Sequence, residues 1–526
     1  MTTIDVHPVA DTGSDTGPGT QALATVSEWF VTTDHKRIGR MYMSVALLMA
    51  LGTAALGALL NFDAASSFID KGALAQLSSA YRIGLTFMVV VPLMLGIATA
   101  VVPLQLGARS IAFPRLAAAG FWMWLLGSIL VIVSLVNNGG PGGGDIQMVA
   151  MFMTAHMLLL LGLVAGAVSL ATSIMTTRAA GMNMRRVPPF SWSVMVFAIC
   201  LIISLPVLMG TLLLNYLNFR YGGVGFGTNF DIVRWIGFGF TQPMTFVYAI
   251  PVFGFAAEVI ATATKQRLAM RGLIFAGISL VGVAALAGVT QNQALLRDGF
   301  VDSTTSQKIA DAVPYVLFNL LPLLGGFMVL ALAGSTLRHK PTISAPLLFG
   351  FFGAGMVFVG MLANTIGRIA DTNLAGTRFE EGVWIYVMYG AVLTGLGAVS
   401  YWSPKLWGPV LATKHVAPLV LLGLGATVLS SLPLLVAGFA DGIADAAATV
   451  AGVGHVLMLL TILAFGGLAA KTFRSGDHAV DDPWDGQTLE WAATSPAPLA
   501  NFDYVRTIIS AEPLLDLKPS TVGSDA

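Results

Sequence analysis

Met41–Leu60, MYMSVALLMALGTAALGALL, runs for twenty residues without a charge. A helix of about 20 residues spans the hydrocarbon core of a bilayer, where the backbone can bond only to itself, so the stretch reads as a transmembrane helix. Similar runs begin near Ile83, Ala117, Gln147, Phe190, Ile232, Arg271, Ala310, Leu347, Gly382, Val416 and Ala446. The fold class that follows is an all-α membrane protein with twelve transmembrane helices. Composition agrees: 10% of 526 residues are charged and 56% are hydrophobic, against about 25% charged in soluble chains. An aqueous globule is excluded.

The cations test the count independently, because cytoplasmic segments should carry the Lys and Arg. With both ends inside, the inner segments hold 19 of the 27 cations. The chain is therefore expected in a bacterial-type plasma membrane with cytoplasmic N and C termini. Residues 1–30, rich in Thr, Asp, Gly and Pro, lack an apolar signal region and read as a disordered cytoplasmic tail. Residues 31–472 form the twelve-helix membrane domain, and 473–526 read as an extended cytoplasmic strap. The lone Cys200 excludes a disulfide within the chain. Small residues such as those in VLTGLGAVS let helices approach closely, which accounts for the 58 glycines without any function.

Six landmarks follow one another along the chain: TTDHKRIGRMYM from Thr32, VVPLQLGARSIAFPRL from Val101, RAAGMNMRRVPPFSWSVMV from Arg178, IPVFGFAAEVIAT from Ile250, YWSPKLWG from Tyr401 and DPWDGQTLEW from Asp482. In kind and order they resemble subunit I of the haem-copper oxidases, the catalytic subunit of cytochrome c oxidase. That resemblance implies six histidine ligands: two for a low-spin haem, one for a high-spin haem and three for copper. Imidazole suits both metals because a second group can fix its other nitrogen.

Carried onto this chain, those positions hold other residues. The family's second-helix His-Gly pair corresponds to Tyr81 and Arg82, eleven residues before Pro92. In FTQPMTFVYAIP, Phe240–Pro251, the spacing of Pro243 and Pro251 matches the family's sixth-helix motif. The copper His is then Gln242, the proton-handling Glu is Met244 and the cross-linked Tyr is Phe246. The seventh-helix His-His pair corresponds to Gln291 and Asn292. The two tenth-helix histidines correspond to Arg378 and Glu380 counted from one side, or to Gly382 and Trp384 counted from the other. The remaining proton-path positions hold Ser110 and Phe318, and the propionate-binding Arg pair corresponds to Asp441 and Gly442.

Of the seven histidines only His156 and His455 lie within spans, on separate helices, and each reads as structural. Glu258 reads as a structural contact to loop cations, and Arg82 as a side chain reaching toward the interface. The outer loop carrying Arg368, Asp371, Arg378, Glu380 and Glu381 reads as paired surface charge, with a docking face as the alternative.

The resemblance, without its ligands, implies a redox-silent structural or regulatory subunit of a membrane complex, with no haem or copper of its own and no catalytic residue. Its expected partners are other membrane subunits, oxidase subunit II-like and III-like, and lipid, with no nucleic acid. Two alternatives stand beside it. One is a divergent active terminal oxidase subunit reducing oxygen with cytochrome c electrons. The other is a transporter of a small neutral solute along a polar path through Gln242, Gln291, Asn292 and Gln293. In the first reading the vacated cofactor volume should be filled by Trp384, Phe246, Phe318, Tyr81 and their neighbours, since a void costs about 24 cal/mol per Å³.

Overall fold

The computed structural model describes residues 27–223, 225–297, 304–476, 479–502 and 504–517. Among them, twelve helices are long and apolar enough to cross a membrane: α1 (His35–Ser66), α2 (Lys71–Gln105), α3 (Pro114–Val136), α4 (Ile146–Thr176), α5 (Pro189–Tyr221), α6 (Thr245–Thr264), α7 (Arg271–Thr290), α8 (Thr305–His339), α9 (Ala345–Gly367), α10 (Arg378–Trp407), α11 (Thr413–Ala437) and α12 (Ala444–Arg474). Local chemistry sets several starts. Asp34, Asp70, Asp145 and Thr377 accept hydrogen bonds from the first free N–H groups of α1, α2, α4 and α10.

Two starts differ from expectation by more than ten residues. Helix α2 begins at Lys71 rather than near Ile83, because the polar turns KGALAQLSSAYR fail a hydrophobicity test yet are capped by Asp70 and continue into the apolar segment. The sixth span begins at Thr245 rather than near Ile232. Ile232–Ile236 is a separate short helix, and the glycines of Gly237–Gly239 and Pro243 break the apolar run before the span starts. Gln242 and Met244 therefore precede α6 instead of lying in it. Residues 27–30 are helical, where the N-terminal tail was expected to be disordered; residues 1–26 lie outside the described residues.

Helices α2 and α8 each contain a wider π segment, Gly84–Val90 and Val316–Leu320. Each ends just before a proline, Pro92 and Pro322. Proline offers no N–H and its ring collides with the carbonyl four residues back, and a widened turn relieves both problems.

Sequence neighbours pack as antiparallel pairs, and α12 returns onto α1 to close the bundle. The most apolar windows of α2, α6 and α10 are fully buried, whereas those of the other nine are partly exposed. Two of these three, α2 and α10, carry three of the six positions at which the resemblance places ligands. Beyond α12 the described residues hold no long helix. It runs across the bundle end where α1 begins and where α2, α6 and α10 finish, and it buries Gln487, Thr488, Leu489, Glu490 and Trp491. The strap is an insert as much as a cover.

Candidate functional site

Two central helices meet where the resemblance would place a low-spin haem. Tyr81 of α2 contacts Trp384 of α10 edge to face, with ring centroids 5.2 Å apart and planes at 80°. His455 of α12 reaches into the same cluster, 5.8 Å from Tyr81 and 5.3 Å from Tyr389, whose hydroxyl bonds His455 Nδ1 at 2.5 Å. Gly57 admits the imidazole, since a Cβ there would lie 2.7 Å from His455 Nδ1. All four rings are buried, yet Tyr81 Oη, Trp384 Nε1 and His455 Nε2 have no protein partner. Arg82 pairs with Glu381 at 2.9 Å and lies 5.7 Å from the Trp384 ring centroid.

The geometry separates the two ways of counting along α10. Arg378 Nη1 donates to Ala444 O at 2.6 Å, and Glu380 accepts from Arg368 at 2.5 Å and from Gly376 N at 2.9 Å. Gly382 lies against α11, where a Cβ would come 2.7 Å from Ser431 O. Trp384 is the candidate that meets Tyr81. The residues present do not fit a bis-ligated haem: an indole N–H is a donor without a lone pair to offer iron, and rings in contact leave no slot between them for a macrocycle. His156, on α4, packs against Phe87 and Phe152 with neither ring nitrogen bonded.

Side chains also fill the second region, where the resemblance would place a high-spin haem and copper. Phe246 and Phe318 are buried, and Met244 Sδ occupies the space beside Gly288, where a Cβ would sit 2.7 Å from it. Tyr248 Oη donates to Gly239 O. A cavity of about 10 Å³ remains, lined by Met244, Tyr248, Gly288 and Gln291 among others. Gln291 alone of the four polar-path candidates lines it. Gln291 Nε2 donates to Thr211 Oγ1 at 2.8 Å and Asn292 Oδ1 accepts from Ala294 N at 2.7 Å, while Gln293 is exposed. Gln242 is buried with Nε2 unpartnered, and its carbonyl accepts from Arg368 at 3.1 Å. Ser110 is exposed in the turn after α2. Among the described residues, no three His, Cys, Asp or Glu side chains gather as a metal site would require.

A third cluster joins the strap to the bundle. Gln105 Nε2 donates to Glu258 Oε1 at 2.7 Å and to Glu490 Oε1 at 3.0 Å, and Gln105 Oε1 accepts from Ser191 at 2.6 Å. Glu258 also accepts from Phe190 N at 3.1 Å and Thr488 Oγ1 at 3.2 Å, so its partners are an amide, a backbone N–H and a hydroxyl rather than the expected loop cations. Glu490 accepts from Trp402 Nε1 at 3.3 Å, and its Oε2 has no partner. Burial pushes the Glu490 carboxyl above its ordinary range, against the opposing pull of the Gln105, Thr488 and Trp402 bonds.

Cations hold the strap around this pair. Lys405 Nζ donates to Asp481 O at 2.8 Å and to Ala493 O, Arg271 pairs with Glu512 at 2.7 Å, and Lys36 Nζ reaches Asn501 Oδ1 at 2.9 Å. Sequence reasoning missed Gln105, Glu490, Tyr389 and the placement of His455. For Gln105 and Glu490 a signal existed, because each is a polar residue inside a landmark segment.

Comparison with known proteins agrees with this architecture. The family model described as cytochrome c and quinol oxidase polypeptide I matches residues 37–469. A Streptomyces avermitilis protein described as cytochrome c oxidase subunit 1-beta is 26% identical over 559 residues, covering 96% of each chain. A Streptomyces coelicolor protein of the same description is 27% identical, over 93% of this chain and 90% of its own. A Bradyrhizobium diazoefficiens protein described as cytochrome c oxidase subunit 1 is 26% identical, over 93% of this chain and 78% of its own.

Proposed function

Because the chain belongs to the cytochrome c and quinol oxidase polypeptide I family, we propose that it keeps that family's scaffold without its redox centres and acts as a structural or regulatory subunit of a membrane complex. The observation that carries this reading is the contact between Tyr81 and Trp384, whose ring centroids are 5.2 Å apart. The space a haem would need between α2 and α10 is taken by side chains that cannot ligate it as a pair. The amides at Gln242, Gln291 and Asn292 support the same reading for copper, being poor substitutes for imidazole.

The partners are other membrane subunits, oxidase subunit II-like and III-like by family resemblance, and the membrane is a bacterial-type plasma membrane with both termini cytoplasmic. The competing reading, an active terminal oxidase subunit, draws on the descriptions of the relatives at 26–27% identity.

Gentle detergent purification from the native membrane separates the two. A reduced-minus-oxidised spectrum, copper analysis and identification of co-purifying proteins are taken on one sample. Substoichiometric haem and copper with defined partner subunits is the expected result. Haem bound by this chain at unit stoichiometry overturns the proposal and restores the oxidase.

A further inference from the structure

At the end of the bundle opposite the strap, α1 finishes, α2 and α10 begin and α11 finishes around a cavity of about 280 Å³. Its polar lining comes from Asn61, Asp63, Ser78, Tyr81, Arg82, Arg378 and Glu381. At about 30 Å³ per water in the liquid, that volume corresponds to roughly nine waters, room for a compact polar headgroup. Leu60, Leu74 and Leu434 supply the apolar part of the wall. The cavity reaches the protein surface at Ala64, which is exposed.

Its polar groups are only partly used by the protein. Tyr81, 1% exposed, has no hydrogen-bond partner for its hydroxyl. Arg82 spends one nitrogen on Glu381 Oε2, and Arg378 spends one on Ala444 O. Asp63 Oδ1 accepts from Phe68 N at 2.8 Å and Ile69 N at 2.6 Å, and Asn61 Nδ2 donates to Gly57 O at 2.9 Å. Donors therefore remain on two guanidiniums and a phenol, and acceptors on Asp63 Oδ2, Glu381 Oε1 and Asn61 Oδ1.

Two cations and two carboxylates around one cavity suit a ligand that carries both signs. A purely anionic group would meet the two carboxylates, and a purely cationic one would meet the two guanidiniums. We propose that this cavity binds the zwitterionic headgroup of a phospholipid whose phosphodiester is followed by a primary ammonium, as in phosphatidylethanolamine. The phosphate takes the guanidinium N–H groups of Arg378 and Arg82 and the Tyr81 hydroxyl, in the charge-assisted geometry such groups favour. The ammonium donates to Glu381 and Asp63, and an acyl chain lies on the leucines. A choline headgroup has no N–H to donate, and a glycerol headgroup has no cation.

The full chain in detergent is titrated with phosphatidylethanolamine, phosphatidylcholine or phosphatidylglycerol at matched concentrations, and bound lipid is counted by native mass spectrometry. The ethanolamine lipid is expected to bind about tenfold better than either other lipid, with Arg378→Gln and Glu381→Gln each removing most of that preference. Tyr81→Phe, which deletes one hydroxyl and keeps the ring, is expected to weaken binding with little change in melting temperature. Equal binding of the three lipids, or tightest binding of phosphatidylglycerol, overturns the proposal. So does full preference in variants that melt with the wild type. Displacement of the lipid by free phosphoethanolamine at equal concentration assigns the site to a soluble ligand and overturns the lipid. Haem at unit stoichiometry in the same sample gives the cavity to porphyrin propionates and overturns it as well.

Discussion

Glu258 of α6 and Glu490 of the strap accept hydrogen bonds from one amide nitrogen, Gln105 Nε2, at 2.7 and 3.0 Å. Both carboxyls are buried, and no cation forms an ion pair with either among the described residues. Two buried negative charges this close would repel by several kcal/mol even at an effective dielectric constant of about 20. The arrangement is therefore stable when the pair carries a proton, and the strap's docking is tied to that proton.

The pH dependence follows from the raised Glu490 carboxyl. A group that holds its proton more tightly when folded stabilises the fold most below its unfolded value, about 4.3 for Glu, and loses that contribution as pH rises through the folded value. Raising the pH from about 5 to about 9 should make the strap progressively easier to cleave by added protease. Glu490→Gln cannot ionise and keeps an oxygen for Gln105, so its cleavage rate should be nearly flat across that range. A wild type and variant with the same pH profile would separate the strap from this proton.

Truncating the ring cluster tests the packing where a haem would otherwise sit. Trp384 is 1% exposed and contacts both Tyr81 and the Arg82 guanidinium. Trp384→Ala should cost about 3–5 kcal/mol through the cavity it leaves, read as lowered stability in mixed-micelle unfolding. Added haemin should give no Soret band characteristic of a six-coordinate haem in the wild type. A smaller loss than about 1 kcal/mol would mean the side chain is not a packed core element.

Tyr389 and His455 offer a second, sharper probe of the same cluster. Their 2.5 Å bond is, among the described residues, the one hydrogen bond the His455 imidazole makes, since its Nε2 has no partner there. Tyr389→Phe leaves the buried imidazole with no partner and should cost about 1–3 kcal/mol. Once His455→Ala has removed the imidazole, the same substitution should cost less. The double-mutant cycle then reports a coupling, and additive losses would show that the bond contributes little.

The parts of this structure that could be read from sequence are those that depend on local pattern. Twelve apolar runs give twelve spans because length and charge alone decide insertion. Helix starts went astray where that pattern fails: the capped polar turns from Lys71 belong to α2, and the glycine-broken run from Ile232 does not belong to α6. Along α10 the structure adds contacts that counting cannot supply, with Glu380 turned to Arg368 and Trp384 to Tyr81. Each of Gln105 and Glu490 stands out as a polar residue in a landmark segment, but their meeting could not be read for the same reason. Gln105 and Glu490 are 385 residues apart, and nothing near either one announces the other.

The last test concerns the outer loop, read from sequence as paired surface charge. Arg368 is 3% exposed at its side chain, and it bonds Glu380 Oε1 at 2.5 Å, Gln242 O at 3.1 Å and Asn364 Oδ1 at 3.3 Å. This pair is more enclosed than the surface reading allowed. Glu380→Ala leaves a buried guanidinium with only neutral acceptors, a change that costs about 3–5 kcal/mol where both partners are fully buried. Glu380 keeps 22% side-chain exposure, so water can reach the site and the loss should fall near the lower end, about 3 kcal/mol. Replacing both partners with apolar residues, Arg368→Met with Glu380→Leu, removes the stranded charge and should recover most of that stability. Thermal unfolding of the wild type and the two variants in one detergent decides it. If the double variant is as unstable as Glu380→Ala, the cost lies in the contacts Arg368 makes to Gln242 and Asn364, and the ion pair is incidental.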